Sequence, residues 1–302
     1  MTTSAGTPWE RGRFDAGRGP RKVLFGRMYE DSAVELGAFR PGGRVLCIAS
    51  AGCTARALAP HHEVVALDIN PDQLAYAQAR IAGAPAIRGT ADRVMAFGRG
   101  FAPFVGWSSR QLRAFLELDD PAAQIDFWRR HLDTRRFRAA VDALLSVTAL
   151  RAVYASPFLR FLPPHLGAVM RARMERCFAR HPNRSNPYAR ALLLGELGDD
   201  AAPSPANKIS LVHADAAAWL EAAPAGSLHG LSLSNILDGA DEAYRARLVS
   251  AVKHAAAPAA VVVLRSFAEP ALHAPTNRAA EDRSMLWGSV DVRPAIELDA
   301  AS

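Results

Sequence analysis

Cysteine is scarce in this 302-residue chain: Cys47, Cys53 and Cys177 are too few and too scattered for a disulfide framework or a zinc site. No metal is therefore expected, and such cysteine usage fits a reducing cytoplasm. Lysine is scarcer still for a chain of net charge +6, with only Lys22, Lys208 and Lys253. The basic excess is nearly all arginine in a background rich in alanine and proline, a pattern that GC-rich coding explains as well as a phosphate-binding surface does. Charge alone thus gives no reason to expect a nucleic-acid partner. No uninterrupted apolar run reaches the ~20 residues of a spanning helix, so stable membrane insertion is not expected. The first 22 residues lack the apolar stretch of a secretory signal and, with their glycines, prolines and charges, are expected to form a mobile arm.

What the chain does have is apolar residues, 50% of the total against 22% charged. That balance describes a globular protein long enough for one large domain, or one domain carrying a sizeable insertion. Strand-like and helix-like segments alternate near both ends. "RVLCIAS" (44–50) reads as a buried strand after Pro41-Gly42-Gly43, and "EVVALDI" (63–69) as a second. Asn70-Pro71 then supplies a helix cap and a first-turn proline, followed by Leu74, Ala77 and Ile81 at helical spacing. Downstream, "ISLVHAD" (209–215), "GLSLSNIL" (230–237) and "AVVVLRSF" (260–267) read as three more strands, the first two followed by alanine-rich helical stretches. The expected fold is α/β, a Rossmann-like, mostly parallel sheet.

Between the second and third strands the character changes. Residues 95–205 show helical spacing without a period-two run and are rich in arginine, aromatics and proline. They read as a large helical insertion, a cap over the sheet, with a surface decoration as the alternative. The expected division is an arm (1–22), the first part of the sheet domain (23–94), the insertion (95–205) and the second part (206–302).

Candidate chemistry gathers where parallel strands end, the edge at which open α/β sheets bind ligands. The loop Ser50-Ala51-Gly52-Cys53 joins the first strand to a helix through small residues that allow close approach of a ligand, or simply make a tight turn. It has one glycine where a dinucleotide fingerprint has three, which suffices for an adenosyl group with no pyrophosphate to cradle. Asp68, at the end of the second strand, is placed to accept both ribose hydroxyls of a nucleoside. Asp215 ends the third strand, where it could take an adenine amino group, cap the next helix, or both. Ser234, Asn235 and Asp238 follow the fourth strand at the crevice edge, as site residues or as turn formers. Arg265 interrupts an otherwise apolar strand and needs an acidic partner, either a ligand carboxylate or a protein one.

Two further segments carry polar side chains. "RHPNRSNPYARALLLG" (180–195) presents His181, Asn183, Arg184, Asn186, Tyr188 and Arg190 in a proline-stiffened loop, as an acceptor-binding surface or as turn residues. Near the N-terminus, Tyr29, Glu30 and Asp31 precede an amphipathic stretch with Val34, Leu36 and Phe39, and either cap that helix or reach a ligand's ammonium.

Taken together, "MYEDSAVELGAF", "RVLCIASAGC", "ALDINPDQLA", "RHPNRSNPYARALLLG" and "LSNILD" resemble the betaine-lipid synthase family of S-adenosylmethionine-dependent 3-amino-3-carboxypropyl transferases, in matching order across residues 24–287. The resemblance implies a methyltransferase-type Rossmann sheet that moves a different carbon chain. Ordinary methyltransferases carry an acidic residue in the first strand and a glycine-rich loop; here Cys47 takes the acidic position, and Ala49 and Ala51 replace glycines. The chain is also similar, in length and overall character, to transferases of the isonocardicin synthase type, which act on a phenolic β-lactam intermediate in antibiotic biosynthesis. The implied reaction is attack of an acceptor hydroxyl on the γ-carbon of S-adenosylmethionine, releasing methylthioadenosine. A small phenol is the favoured acceptor, with diacylglycerol, touched peripherally at a membrane, as the alternative and methyl transfer as a further one. In that reading Asp68 holds the ribose, Asp215 the adenine and the 50–53 loop the centre of the cofactor. Arg265 or Arg190 takes the carboxylate and Glu30 or Asp31 the ammonium, while His181 and Asp238 are candidate general bases.

Overall fold

The computed structural model describes residues 22–151, 159, 162–196, 205–270 and 274–299. The expected N-terminal arm lies outside these residues except for Lys22, as do parts of the expected insertion.

The first half of the sheet domain contains α1 (Ala33–Ala38), β1 (Arg44–Ile48), α2 (Cys53–Leu58), β2 (Glu63–Asp68) and α3 (Pro71–Ile81). The cap signal at Asn70 works as written in the sequence: its side chain accepts from Asp72 N at 3.1 Å, and Pro71 opens the helix. Helical elements then follow one another: α4 (Thr90–Gly100), α5 (Ser109–Leu116), α6 (Pro121–Phe127) running into a π-helical turn (Trp128–Leu132), α7 (Arg135–Leu144), α8 (Val147–Arg151), α9 (Leu166–Phe178) and α10 (Pro187–Leu194). The chain returns to the sheet with β3 (Ile209–His213), α11 (Ala216–Ala222), β4 (Leu228–Ser232), α12 (Glu242–Ala255), β5 (Ala256–Ser266) and β6 (Ser289–Pro294).

The six strands form one sheet in the order β3-β2-β1-β4-β5-β6, parallel except for β6, which runs antiparallel to β5 with Val263 opposite Val292. This is an α/β architecture of Rossmann-like order, and the direction of winding reverses between β1 and β4. The crevice at that reversal is where open sheets of this kind take ligands. The sequence reading did not include β6. Its alternation of Val290 and Val292 with Asp291 and Arg293 has the period of a strand, but two charges in six residues hide it.

Both faces of the sheet are covered, which is why its strands read as continuous apolar runs rather than alternating ones. Leu46, Val65, Leu67, Leu231 and Val262 pack under α11 and α12, against Leu220, Leu248 and Val252. Val45, Cys47, Val64, Ala66 and Val263 pack under α1, α2 and α3, against Val34, Phe39, Ala55, Leu58 and Ala77.

The helical insertion has a core of its own, built on Trp107, Phe115, Trp128, Phe137, Met174 and Phe178, and Met285 from the β5–β6 connection joins it. Phe115 and Phe178 meet edge to face at 4.9 Å. Polar bonds attach this layer to the same connection. Arg173, only 2% exposed, donates to Phe267 O at 2.7 Å, to Leu286 O and to Glu269. Arg176 donates to Trp287 O at 2.9 Å. Gly288 has to be a glycine here, because a Cβ would fall 2.2 Å from Ala268 O and 2.4 Å from Arg173 Nη2. Among the described residues, no helix is long and apolar enough to cross a membrane.

Candidate functional site

At the end of β1 the backbone turns sharply, with Ser50 at φ 42° and Gly52 at φ 79°. Gly52 N donates to Ala49 O at 2.6 Å, closing the turn, and the left-handed φ favours glycine there. The loop is held from two sides. Ser50 N donates to Asp68 Oδ2 at 3.0 Å, and Ser50 O accepts from Gln73 Nε2 at 2.9 Å. Gln73 also gathers the segment that precedes α1, donating to Phe25 O at 2.9 Å and accepting from Leu24 N at 2.8 Å. Met28 and Tyr76 complete the enclosure around Ala51. Gln73 had no signal beyond its place in a helical repeat.

Asp68 sits at the end of β2, as read from the sequence. One oxygen takes the Ser50 amide and the other the Asn70 amide, at 2.9 Å. A carboxylate has about four lone-pair sites, so acceptor capacity remains for a vicinal diol. Burial pushes its carboxyl up to about 6, while the amides of Asn70 and Ser50 and the neighbouring His213 pull the other way.

Beyond the ends of β4 and β5 lies a buried charge cluster. Arg265 forks onto Glu35, with Nη2 3.1 Å from Oε2, and donates to Asp282 Oδ2 at 3.1 Å and to Asp31 O at 3.2 Å. Its Nη1 lies 3.6 Å from Glu30 Oε2. Burial alone would disfavour the charged guanidinium, but Glu35, Glu30 and Asp282 outweigh it and hold the group firmly protonated. The expectation that Arg265 takes a ligand carboxylate is corrected: its donors are engaged by α1 and by the β5–β6 connection. Asp31 is likewise committed, to Arg283 at 2.8 Å and to Ala33 N at 3.2 Å. Burial raises the Asp31 carboxyl, yet Arg283 and these amides bring it below the usual range. Asp31 therefore helps cap α1 and anchors Arg283.

Glu30 differs from its neighbours. Ser234, itself at φ 52°, donates its hydroxyl to Glu30 Oε1, whereas the buried Oε2 accepts no hydrogen bond. Burial pushes this carboxyl up to about 7, with Arg265 and Ser234 opposing and Glu35 and Asp282 adding to the rise. Cys47 lies within reach of the same charges. Burial, then Glu35 and Glu30, drive its thiol far up. A carboxylate at position 47 would be repelled by both glutamates, which gives a physical reason for an uncharged residue there.

Other sequence candidates serve the framework. Asp215 caps α11 through Ala218 N at 2.9 Å and accepts from Tyr244 of α12 at 2.7 Å, so it fills the cap role read from the sequence, a role compatible with contact to an adenine. Asp238, 4% exposed, accepts from Ser266 at 2.6 Å, Phe267 N at 3.0 Å and Asn235 at 3.3 Å. Burial raises its carboxyl, but these donors make it a tie between the β4 loop and the end of β5 rather than an open base.

From the insertion, Tyr188 reaches the cluster. Tyr188 donates to Glu30 O at 2.7 Å, and burial, then the charges of Asp31 and Asp282, push its phenol well above its ordinary value. The rest of 180–195 holds the insertion together. His181 Nε2 bonds Ala280 O at 2.8 Å and so latches the insertion to the β5–β6 connection. Asn183 donates to Phe115 O at 3.1 Å, and Asn186 caps α10 through Tyr188 N and Ala189 N while donating to Arg283 O. Arg184 pairs with Asp119 at 2.8 Å, and Arg190 with Glu117 and Glu196. The bonds of these four run within the insertion, with Asn186 also reaching Arg283 O.

Sequence reading missed Glu35, Asp282 and Arg283. Glu35 carried a signal: on a helical wheel it falls between Val34 and Phe39, on the buried arc, whereas Leu36 falls outside it and is 40% exposed. Asp282 and Arg283 carried none, since charged residues in a loop read as solvated. Among the described residues no group of three His, Cys, Asp or Glu side chains could hold a metal ion. The chain matches no family model, no curated protein and no solved structure.

Proposed function

We propose that this chain binds S-adenosylmethionine in the crevice between β1 and β4 and transfers its 3-amino-3-carboxypropyl group to an acceptor hydroxyl, releasing methylthioadenosine. The observation that carries the reading is Asp68: a carboxylate at the end of β2, oriented by the amide of the β1 loop, with acceptor capacity left for a ribose diol. The neighbouring cluster supports a cationic ligand. Glu30, Asp31, Glu35 and Asp282 face two guanidiniums, Arg265 and Arg283, so the surplus charge is negative and favours a sulfonium. The resemblance to betaine-lipid synthases points to the γ-carbon rather than the methyl as the transferred centre.

The acceptor is a small phenol in preference to diacylglycerol. A phenol, with pKa about 10, needs less help in losing its proton than an aliphatic alcohol. In-line positioning of the two reactants supplies much of the acceleration, up to ~7–11 kcal/mol in well-oriented systems. The compartment proposed is the cytoplasm, and no metal or nucleic acid takes part.

Incubation with S-adenosylmethionine and para-cresol or dioctanoylglycerol, followed by mass spectrometry of the nucleoside, tests the reading. Methylthioadenosine formed in an acceptor-dependent way is the expected product. Exclusive S-adenosylhomocysteine would establish methyl transfer instead, and no acceptor-dependent product of either kind would remove the transferase reading.

A further inference from the structure

Glu30 is the group in the cluster whose bonding is incomplete. It is 5% exposed, its Oε1 is fixed by Ser234, and its Oε2 is buried with no hydrogen-bond partner. A buried acceptor without a donor is costly and is a mark of a place where a ligand completes the bonding. The position is also central. Ser234 belongs to the loop after β4, and Tyr188 of the insertion holds the Glu30 carbonyl, so the side chain stands where the sheet crevice meets the cap.

The partner that Oε2 fits is a neutral donor. Arg265 Nη1 lies 3.6 Å away and already sets a cation beside this oxygen, so what Oε2 still lacks is a hydrogen bond, which a hydroxyl can donate. Resting on the transferase reading above, we infer that Glu30 Oε2 is the catalytic base that takes the proton of the acceptor hydroxyl. As the O–H bond breaks toward Oε2, the acceptor oxygen forms its bond to the γ-carbon of S-adenosylmethionine. The C–S bond breaks with its electron pair passing to sulfur, leaving neutral methylthioadenosine and a protonated Glu30 that returns the proton to water.

The surroundings suit a base working near neutrality. Glu35 from α1 and Asp282 from the β5–β6 connection raise the Glu30 carboxyl, Arg265 from β5 and the Ser234 hydroxyl lower it, and burial sets the balance near 7. A base of that strength accepts a proton well while remaining largely ionised at slightly alkaline pH.

The test compares wild type with Glu30→Gln on para-cresol, un-ionised at neutral pH, and on a nitrophenol already ionised at the assay pH. Loss of about 10²- to 10⁴-fold in methylthioadenosine formation with cresol, against near-wild-type rates with the nitrophenolate, both at saturating S-adenosylmethionine, is the expected result. Equal loss on both acceptors, or no loss on cresol, would overturn the assignment. Should Glu30→Gln not fold, or the enzyme accept only dioctanoylglycerol, the wild-type pH–rate profile decides: a rising limb near pH 7 with the un-ionised acceptor supports Glu30, and a flat profile removes it. Wild-type protein that makes no methylthioadenosine with any acceptor would instead count against the transferase reading itself.

Discussion

Arg265 and Glu35 meet as a buried fork in which Nη1 donates to one carboxylate oxygen and Nη2 to the other, and neither side chain touches solvent. The pair joins β5 to α1, two elements 230 residues apart in the chain. It thereby fixes the segment carrying Glu30 and Asp31 over the crevice, and turns an arginine that reads as a ligand anchor into part of the frame.

Breaking this fork should be costly. Arg265→Met leaves Glu35 and Asp282 buried without their cation, and loss of one partner of such a pair typically costs about 3–5 kcal/mol. Urea denaturation should show the midpoint falling accordingly. A midpoint within error of wild type would mean that the carboxylates are neutralised some other way.

Asp68 should control cofactor affinity through its ionised form. Asp68→Ala is expected to weaken S-adenosylmethionine binding about 10- to 100-fold, or ~1.4–2.7 kcal/mol, the scale of hydrogen bonds to a charged acceptor. In wild type the affinity should fall as pH drops through about 6, where the carboxylate gains its proton. Calorimetry at several pH values checks both, and a pH-independent affinity would argue that the ribose is held elsewhere.

Glu30 should impose a pH-dependent stability cost. Its folded-state carboxyl is raised from 4.5 to about 7, so the unfolded chain ionises more readily, and the native state is penalised above about pH 7. As pH falls through 7 toward 4.5 that penalty is relieved. Glu30→Gln is therefore expected to be more stable than wild type at pH 8, with the advantage fading by pH 4.5. Thermal unfolding of both proteins across this range tests the sign; a variant less stable at pH 8 would contradict it.

Arg173 should hold the cap to the sheet domain. Arg173→Met removes the charged donor to Phe267 O and Leu286 O, at about 1.5–3 kcal/mol for each such hydrogen bond lost. Faster hydrogen exchange in α9 and around Leu286–Gly288, with β1 and β4 amides unaffected, is the expected pattern. Uniformly unchanged exchange would show that the aromatic contacts through Met285 suffice.

The strands β1 to β5, the helices between them and the loop with Asp68 beside it were legible in the sequence, because apolar runs, Asn-Pro caps and small-residue turns are local signals. The long helical insertion was legible for the same reason, by its change of period. The roles of polar side chains were not. Arg265, Asp31, Asp215, Asp238 and His181 all stand at or near the crevice edge or in the cap loop, where a sequence offers ligand and framework roles alike. The tertiary structure supplied their partners within the chain, since a charged or polar side chain is paired by whatever folding brings to it: Glu35 to Arg265, Arg283 to Asp31, Tyr244 to Asp215, Ser266 to Asp238 and Ala280 to His181. Partners so remote in sequence leave no periodic trace, and for that reason the unmatched oxygen of Glu30 could be found only after the others had been matched.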